Sequence, residues 1–288
     1  MNELTSAQVY AVGFPIVALM IAAEAVYSAI SKRRLYKKYD SLGTLGLLAG
    51  NILMVGLVGG LALAVNLWAY QYRLIDLNTL LPEWAVWILA FFLIDFCFYC
   101  FHRVSHRVRF FWAIHLSHHC SVEMNFLVAF RQAWFAPLVK IPFFATLPLL
   151  FGLDPTILVV AGTMSQLWGV VGHTQWVGKL WWPIEWMFNT PSAHRVHHGS
   201  NPQYLDKNYG NLFMIWDRLL GTYQAEEEPV KFGLVKNVDS NNPITITLYG
   251  WRQMAADLRA SRTWREALAS VFAPPDWEHR SSSNSDSL

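Results

Sequence analysis

Five apolar stretches, at about residues 8–30, 44–70, 84–101, 133–151 and 156–177, dominate the chain. Each approaches the roughly 20 apolar residues that a helix needs to cross a hydrocarbon core. Composition points the same way. Of 288 residues, 54% are hydrophobic and only 15% charged, against about 25% charged in an ordinary soluble domain. The net charge of +2 leaves no electrostatic footprint for nucleic acid. Cys97, Cys100 and Cys120 have no disulfide-framework spacing, and Cys97-x-x-Cys100 lies inside the third stretch, where it reads as packing residues. The chain is expected to be an all-α integral membrane protein with about four to five transmembrane helices.

No basic segment precedes the first stretch, whereas SKRRLYKKYD follows it, so it reads as a retained span and not a signal peptide. The second is long enough to require tilt or a bend, and it carries Gly46-xxx-Gly50 and Gly56-xxx-Gly60, which favour close helix packing. The fourth contains Lys140, Pro137, Pro142 and Pro148, and reads as a kinked span or a re-entrant hairpin with the fifth. Lys32, Arg33, Arg34, Lys37 and Lys38 precede the second stretch, and Arg103, Arg107 and Arg109 follow the third. Positive-inside counting therefore places 31–43, 102–132 and everything after about 178 in the cytoplasm. Residues 251–269 read as one amphipathic basic helix, lying on the membrane surface or packed on a cytoplasmic helical cap. Ser281–Leu288 reads as a disordered tail.

Nine of the ten histidines fall in three patterned groups and one single position. They are His102 and His106; His115, His118 and His119; His173; and His194, His197 and His198. Residues three and four apart share one face of a helix, so each group can converge its imidazoles. Two apolar stretches separate the outer groups, an even number of crossings that returns all nine to one side. Thr190-Pro191 reads as a helix start and Gly199 as its stop, so residues 191–198 form a short helix carrying three of them. Neutral imidazoles suit iron, zinc, copper or nickel, and this number suffices for two ions. His279 lies in the tail and takes no part.

The sequence has no HExxH for a zincin, no Glu-x-x-His pair for a carboxylate di-iron bundle, and no GxSxG, P-loop or GxGxxG on suitable elements. An all-histidine dimetal site at a bilayer surface points to iron and dioxygen, because iron carries the redox steps that break an unactivated C–H bond and zinc does not. A divalent-metal transporter with His-rich sites and a membrane zinc hydrolase are the competing classes.

HRVSH, HLSHH and NTPSAHRVHHGSNPQYLDKNYGNLFMIWDRLLGTYQAE together resemble the fatty acid hydroxylase superfamily, also called the sterol desaturase family, and within it the bacterial members of the alkylglycerol monooxygenase branch. The resemblance is strong over about residues 85–225, which reads as the catalytic domain. Residues 1–84 then supply N-terminal membrane helices, and 226–280 a cytoplasmic helical extension. It implies a membrane di-iron oxygenase with the eight clustered histidines as ligands; His173 is added by its position. The chain departs from relatives at Cys120-Ser121-Val122-Glu123, where HHSSE is frequent, and at Ala193. Asp95, one helical face below His102, is expected to hydrogen-bond a ligand histidine. Glu123, Asn125 and Asn208, with Arg131, Gln132, Asp206 and Asp217, are further candidates for the surrounding layer. Trp176, Trp181, Trp182 and Trp186 would hold the site at headgroup depth. Two non-haem iron ions, dioxygen, a membrane lipid substrate, and an electron-transfer partner or reduced pterin follow as expected companions. The expected location is a bacterial inner membrane with the site on its cytoplasmic side. Hydroxylation, desaturation and ether cleavage all remain open outcomes.

Overall fold

Apart from two isolated bridges, the residues described by the computed structural model, 5–278, form no strands. His279 and the expected tail lie outside them. Among the described residues, three helices are long and apolar enough to cross a membrane: α1 (Ser6–Ile30), α2 (Lys38–Gln71) and α4 (Glu83–Arg107), with a short α3 (Leu77–Leu80) between the last two. Thr5 and Gln8 start α1 with a reciprocal capping box. The basic loop after α1 turns through left-handed Lys32 and Arg34 and is pinned where Ser28 Oγ accepts from Leu35 N at 2.9 Å.

At 34 residues, α2 is about 51 Å long, well beyond a hydrocarbon thickness of about 30 Å. Part of the excess, at the first turns, is enclosed by protein. Asp40, Gly43, Thr44 and Leu47 in the first turns of α2 are buried, with Gly43 against Asn241 and Gly46 against Pro243. Further along, Gly50 lies against the Trp134 indole, whereas Gly56 and Gly60 meet nothing within 4 Å among the described residues. The first small-residue pair thus packs closely and the second does not.

The fourth and fifth stretches become α6 (Ala136–Phe151) and α7 (Pro155–Val171), of 16 and 17 residues, each about 25 Å long. They meet at Gly152, whose φ of +59° closes α6 and whose missing Cβ leaves room for the Ile75 carbonyl. This turn is bonded to the α2–α4 connection: Leu74 N donates to Leu149 O (2.8 Å) and Asn78 Nδ2 to Gly152 O (3.0 Å). The hairpin therefore runs from the histidine end of the bundle to the opposite end of α2 and α4. Its tip packs on a core of Leu77, Val86, Ala90, Ile94, Leu147, Leu153 and Leu158.

Between α4 and α6, α5 (Arg109–His119) turns sharply away after Val108, and a 3₁₀ segment, Phe126–Phe130, follows. Beyond α7 come α8 (Trp182–Met187), α9 (Pro191–His197) and α10 (Ile215–Leu219). Thr190 caps α9 by accepting from Ala193 N, with Pro191 at its first position, as its sequence signals require. Trp181 and Trp182 are exposed, and Trp176 stacks on Tyr27 at 4.9 Å.

The expected single helix over 251–269 is instead two, α11 (Pro243–Ala260) and α12 (Trp264–Phe272). The break lies at Ser261–Thr263 because Thr263 starts a new helix by accepting from Glu266 N. α11 is packed rather than laid on a surface: Ile246, Thr247, Gly250 and Met254 are buried, and Gly250 sits against Ala113 and Leu116 of α5. On α12, Trp264, Leu268 and Phe272 share an exposed face.

A Cβ on Gly250 would lie 2.7 Å from the Ala113 backbone. Gly250→Val is expected to lower thermal stability in detergent by the roughly 1–3 kcal/mol typical of overpacking. Gly56→Ala, with open space around it, should be neutral or slightly stabilising, by up to about 1 kcal/mol. Thermal denaturation of both variants checks the contrast.

Candidate metal centre

The last turns of α4, the inner face of α5, the residue pair after α7, and α9 meet at one buried point. All nine patterned histidines are there. The nitrogens of His102, His106, His115, His119 and His197 lie within 4.8 Å of one another, and so do those of His118, His173, His194 and His198. The two sets abut, since His118 and His119 are neighbours in α5 and His197 and His198 are neighbours at the end of α9.

Each ring has an inner and an outer nitrogen. Inner Nε2 atoms face one another: His102–His115 at 2.9 Å, His115–His119 and His119–His197 at 3.1 Å, His118–His173 and His118–His198 at 3.1 Å, and His173–His194 at 3.0 Å. Outer Nδ1 atoms meet backbone carbonyls at three rings. His102 donates to Tyr209 O (2.7 Å), His173 to Gly169 O (2.8 Å) and His197 to Lys207 O (2.9 Å). A carbonyl accepts only, so these bonds put the proton on Nδ1 and leave each Nε2 lone pair aimed inward. Among the described residues, Nε2 of His106 is buried with no hydrogen-bond partner. Converging lone pairs and an orphaned ring nitrogen are what a metal cation would satisfy, so the donor set fits two ions, one in each set.

Electrostatics support ligand-ready rings. Burial, reinforced by neighbouring imidazoles, holds His115, His118, His119, His194 and His198 well below the ordinary histidine value. His197 is likewise low through burial and His106, and burial takes His173 down to about 4. Neutral imidazole is the form that binds metals.

The surrounding layer differs from expectation at Asp95. Instead of a histidine, its carboxylate accepts from Leu212 N (2.7 Å), Phe213 N (3.1 Å) and Trp216 Nε1 (3.0 Å). Seven residues carry Asp95 two turns below His102, level with the returning 210–216 segment rather than with the imidazoles. Asp217 works on the same segment, accepting from Tyr209 N (2.8 Å), Gly210 N (2.7 Å) and Thr222 Oγ1 (2.6 Å). Together these carboxylates fix the peptide whose carbonyl orients His102. Asn208, in the left-handed region, donates to Ala193 O (2.9 Å) and Gln224 O (2.8 Å) and so braces α9.

Glu123 pairs with Lys37 at 2.5 Å, and Asn125 donates to Leu35 O at 2.6 Å, so both tie the α1–α2 loop rather than reach the rings. Arg131 is buried, donating to Ser117 O and Thr44 Oγ1 at 3.1 Å and facing Asp40 at 3.2 Å. The Gln132 amide lies 3.2 Å from His118 Nδ1, and Asp206 lies 3.6 Å from His106 Nδ1 while accepting from Arg107 at 2.7 Å. Three partners are absent from the sequence reading. Asn189 places its amide 3.2 Å from His194 Nδ1. Arg195, between two histidines, holds Glu226 and the carbonyls of Thr174 and Val177. Glu24, fully buried in α1, accepts from Tyr36 OH (2.7 Å), Phe126 N (2.8 Å) and Thr174 Oγ1. A lone acid in an apolar stretch was the available signal for Glu24, the same one that singles out Asp95.

The histidines form a wall between two cavities. One, of about 290 Å³, lies on the side of the long helices and is lined by His102, His115, His118, His173 and His194 with Leu48, Val55, Phe98, Phe101 and Val170. Val55 and Gln166, both exposed, also line it, which puts its mouth at the outer apolar surface. The other, of about 950 Å³, lies on the polar side and is lined by His106, His119, His197 and His198 with Arg107, Arg109, Asp206, Lys236 and Trp277.

The fatty acid hydroxylase family profile matches residues 87–222, a span that contains all nine of these histidines. The chain belongs to the fatty acid hydroxylase superfamily. It is 35% identical to alkylglycerol monooxygenase of Xenopus tropicalis over 207 residues, 72% of this chain and 45% of that protein. To the human alkylglycerol monooxygenase it is 34% identical, with the same coverage. To the ornithine lipid hydroxylase of Rhizobium tropici it is 29% identical over 143 residues, 49% of this chain and 43% of that one. The chain therefore matches less than half the length of these relatives. No solved structure matches it. Glu24 and Asp40, which brace the centre from α1 and α2, lie outside the segment matched by the hydroxylase profile.

The low imidazole values set a pH dependence for the metal-free protein. A histidine held neutral by the fold takes up a proton more readily when unfolded, so stability is full above about pH 6.5 and falls as pH drops below it. For His173, with its folded value of about 4, the loss amounts to about 3 kcal/mol by pH 4. Thermal denaturation of metal-free protein between pH 8 and 4 should show a falling midpoint below about pH 6.5; a flat profile would mean that the rings are not buried neutral.

Proposed function

We propose that this protein is an iron-dependent oxygenase that hydroxylates or desaturates a membrane lipid. His102, His106, His115, His119 and His197 are the ligands of one iron, and His118, His173, His194 and His198 of the other. The observation that carries this reading is the wall of inward-facing imidazoles between a membrane-side and a polar-side cavity. Bound iron supplies the redox chemistry by which dioxygen and external electrons oxidise an unactivated C–H bond.

The chain's own residues supply position and exclusion. Carbonyls of Tyr209, Gly169 and Lys207 hold three rings in one tautomer. Asp95, Asp217 and Asn208 hold the loop that presents two of those carbonyls, while Glu123 and Asn125 fix the α1–α2 loop beneath the site. Apolar walls from α2, α4, α6 and α7 shield the membrane-side cavity from water and align a lipid segment against His102, His115, His118, His173 and His194. Such alignment, rather than the ligand set, decides between an alcohol, an alkene and cleavage next to an ether oxygen. The larger cavity gives dioxygen and an electron-transfer partner or reduced pterin access from the other face. The distribution of Lys and Arg supports a cytoplasmic location for that face in a bacterial inner membrane. Relatives named for alkylglycerols and ornithine lipids support a lipid substrate.

Mass spectrometry of lipids from cells with and without the protein tests this. An oxygen-dependent gain of one oxygen, loss of two hydrogens, or loss of ether lipids is expected, and His197→Ala should abolish it. Turnover without oxygen on a single bound zinc would sink the proposal.

A further inference from the structure

Among the described residues, Lys140 is the one cation lining the membrane-side cavity, and no Asp or Glu lines it. It stands on α6, one turn inside the histidine end of the hairpin, and is partly buried. Its ammonium lies 5.7 Å from the centre of the Phe101 ring and, among the described residues, has no hydrogen-bond or ion-pair partner. Phe101, His115 and His118 line the same space. A cation–π contact recovers only about 0.5–2 kcal/mol, so a charge left otherwise unpaired at an apolar wall calls for a counter-ion. An ionisable side chain placed in this way at membrane depth is more often functional than structural.

Volume narrows what that counter-ion belongs to. At about 30 Å³ per water-sized group, a cavity of about 290 Å³ admits roughly ten heavy atoms. Only one segment of a lipid fits, with the remainder left in the bilayer through the mouth beside Val55 and Gln166. A methyl-terminal segment would leave the ammonium unpaired beside hydrocarbon. A segment next to a headgroup brings oxygen with it.

We propose that Lys140 is a substrate-recognition residue, whose ammonium binds a lipid oxyanion, a phosphate or a carboxylate, and holds the head-proximal carbons against the histidine centre. This deepens the lipid-oxygenase reading and rests on it only for what happens to the bound lipid. Binding itself can be read without turnover.

The test uses full-length protein in neutral detergent micelles and displacement of a spin-labelled fatty acid by single-chain lipids of identical chain length. One lipid carries a phosphate head, one a carboxylate and one a neutral glycerol. Lys140→Gln should weaken binding of at least one oxyanion lipid by about tenfold, and the arm that responds identifies the oxyanion. The neutral lipid should change by less than about twofold, and Lys140→Arg should keep most of the affinity. Lys179→Gln, at an exposed lysine away from the cavity, controls for overall charge and should change nothing. Equal loss for neutral and charged lipids, or no loss for either oxyanion, would overturn the proposal. Because no oxidation is measured, that failure leaves the oxygenase reading standing. Conversely, selective binding without any oxidation of the bound lipid would remove the oxygenase reading alone.

Discussion

Nine imidazoles packed together away from water impose the constraint on which the rest of this structure depends. Each must be neutral, and each needs a fixed direction, because rings free to rotate would neither share a space this small nor present their lone pairs to a common point. The fold meets this with atoms that carry no charge. Backbone carbonyls at Gly169, Lys207 and Tyr209 accept from three outer nitrogens, and side-chain amides of Gln132 and Asn189 lie against two more. The three carbonyls, as neutral acceptors, set the tautomer of His102, His173 and His197 without adding charge to the buried site. Among the described residues, the single carboxylate close to a ring, Asp206, is partly exposed and shared with Arg107.

The helices are arranged to serve that constraint. α4 and α5 meet at a corner, and α9 closes over them, so their histidines point at each other across short distances. The α6–α7 hairpin is anchored at its far tip to the α2–α4 connection, which leaves its open end free to frame a cavity below the rings. Buried acids then lock the segments beside the rings: Asp95 and Asp217 for residues 209–213, which include the Tyr209 carbonyl, and Glu24 for Thr174 next to His173. Polar groups are concentrated where backbone must be irregular, and apolar side chains face outward elsewhere.

Much of this was legible in the residues. Helix spacing within HRVSH and HLSHH, and the Thr190-Pro191 start before His194, specify local geometry directly, and the structure has all three on helices, the last ending at His197 with His198 as its cap. An even number of apolar stretches between the groups implied a shared side, and the nine rings do converge. What stayed hidden depends on tertiary position. A carbonyl such as that of Tyr209 has no residue-type signature. Asp95 has the right helical face for His102 but the wrong depth, and depth is set by where residues 210–216 return. The break between α11 and α12 was readable in Thr263-x-x-Glu266, a start signal that outweighs the continuous amphipathic pattern around it. The excess length of α2 was also visible, but only packing against Asn241 and Pro243 shows that protein encloses its first turns.

X-ray absorption at the metal edge of iron-loaded protein, together with the iron count per chain, tests the central claim most directly. Two irons per chain, with four to five imidazole nitrogens around each and no sulfur, is the expected result. One iron per chain, or ligation dominated by carboxylate oxygen or sulfur, would contradict it.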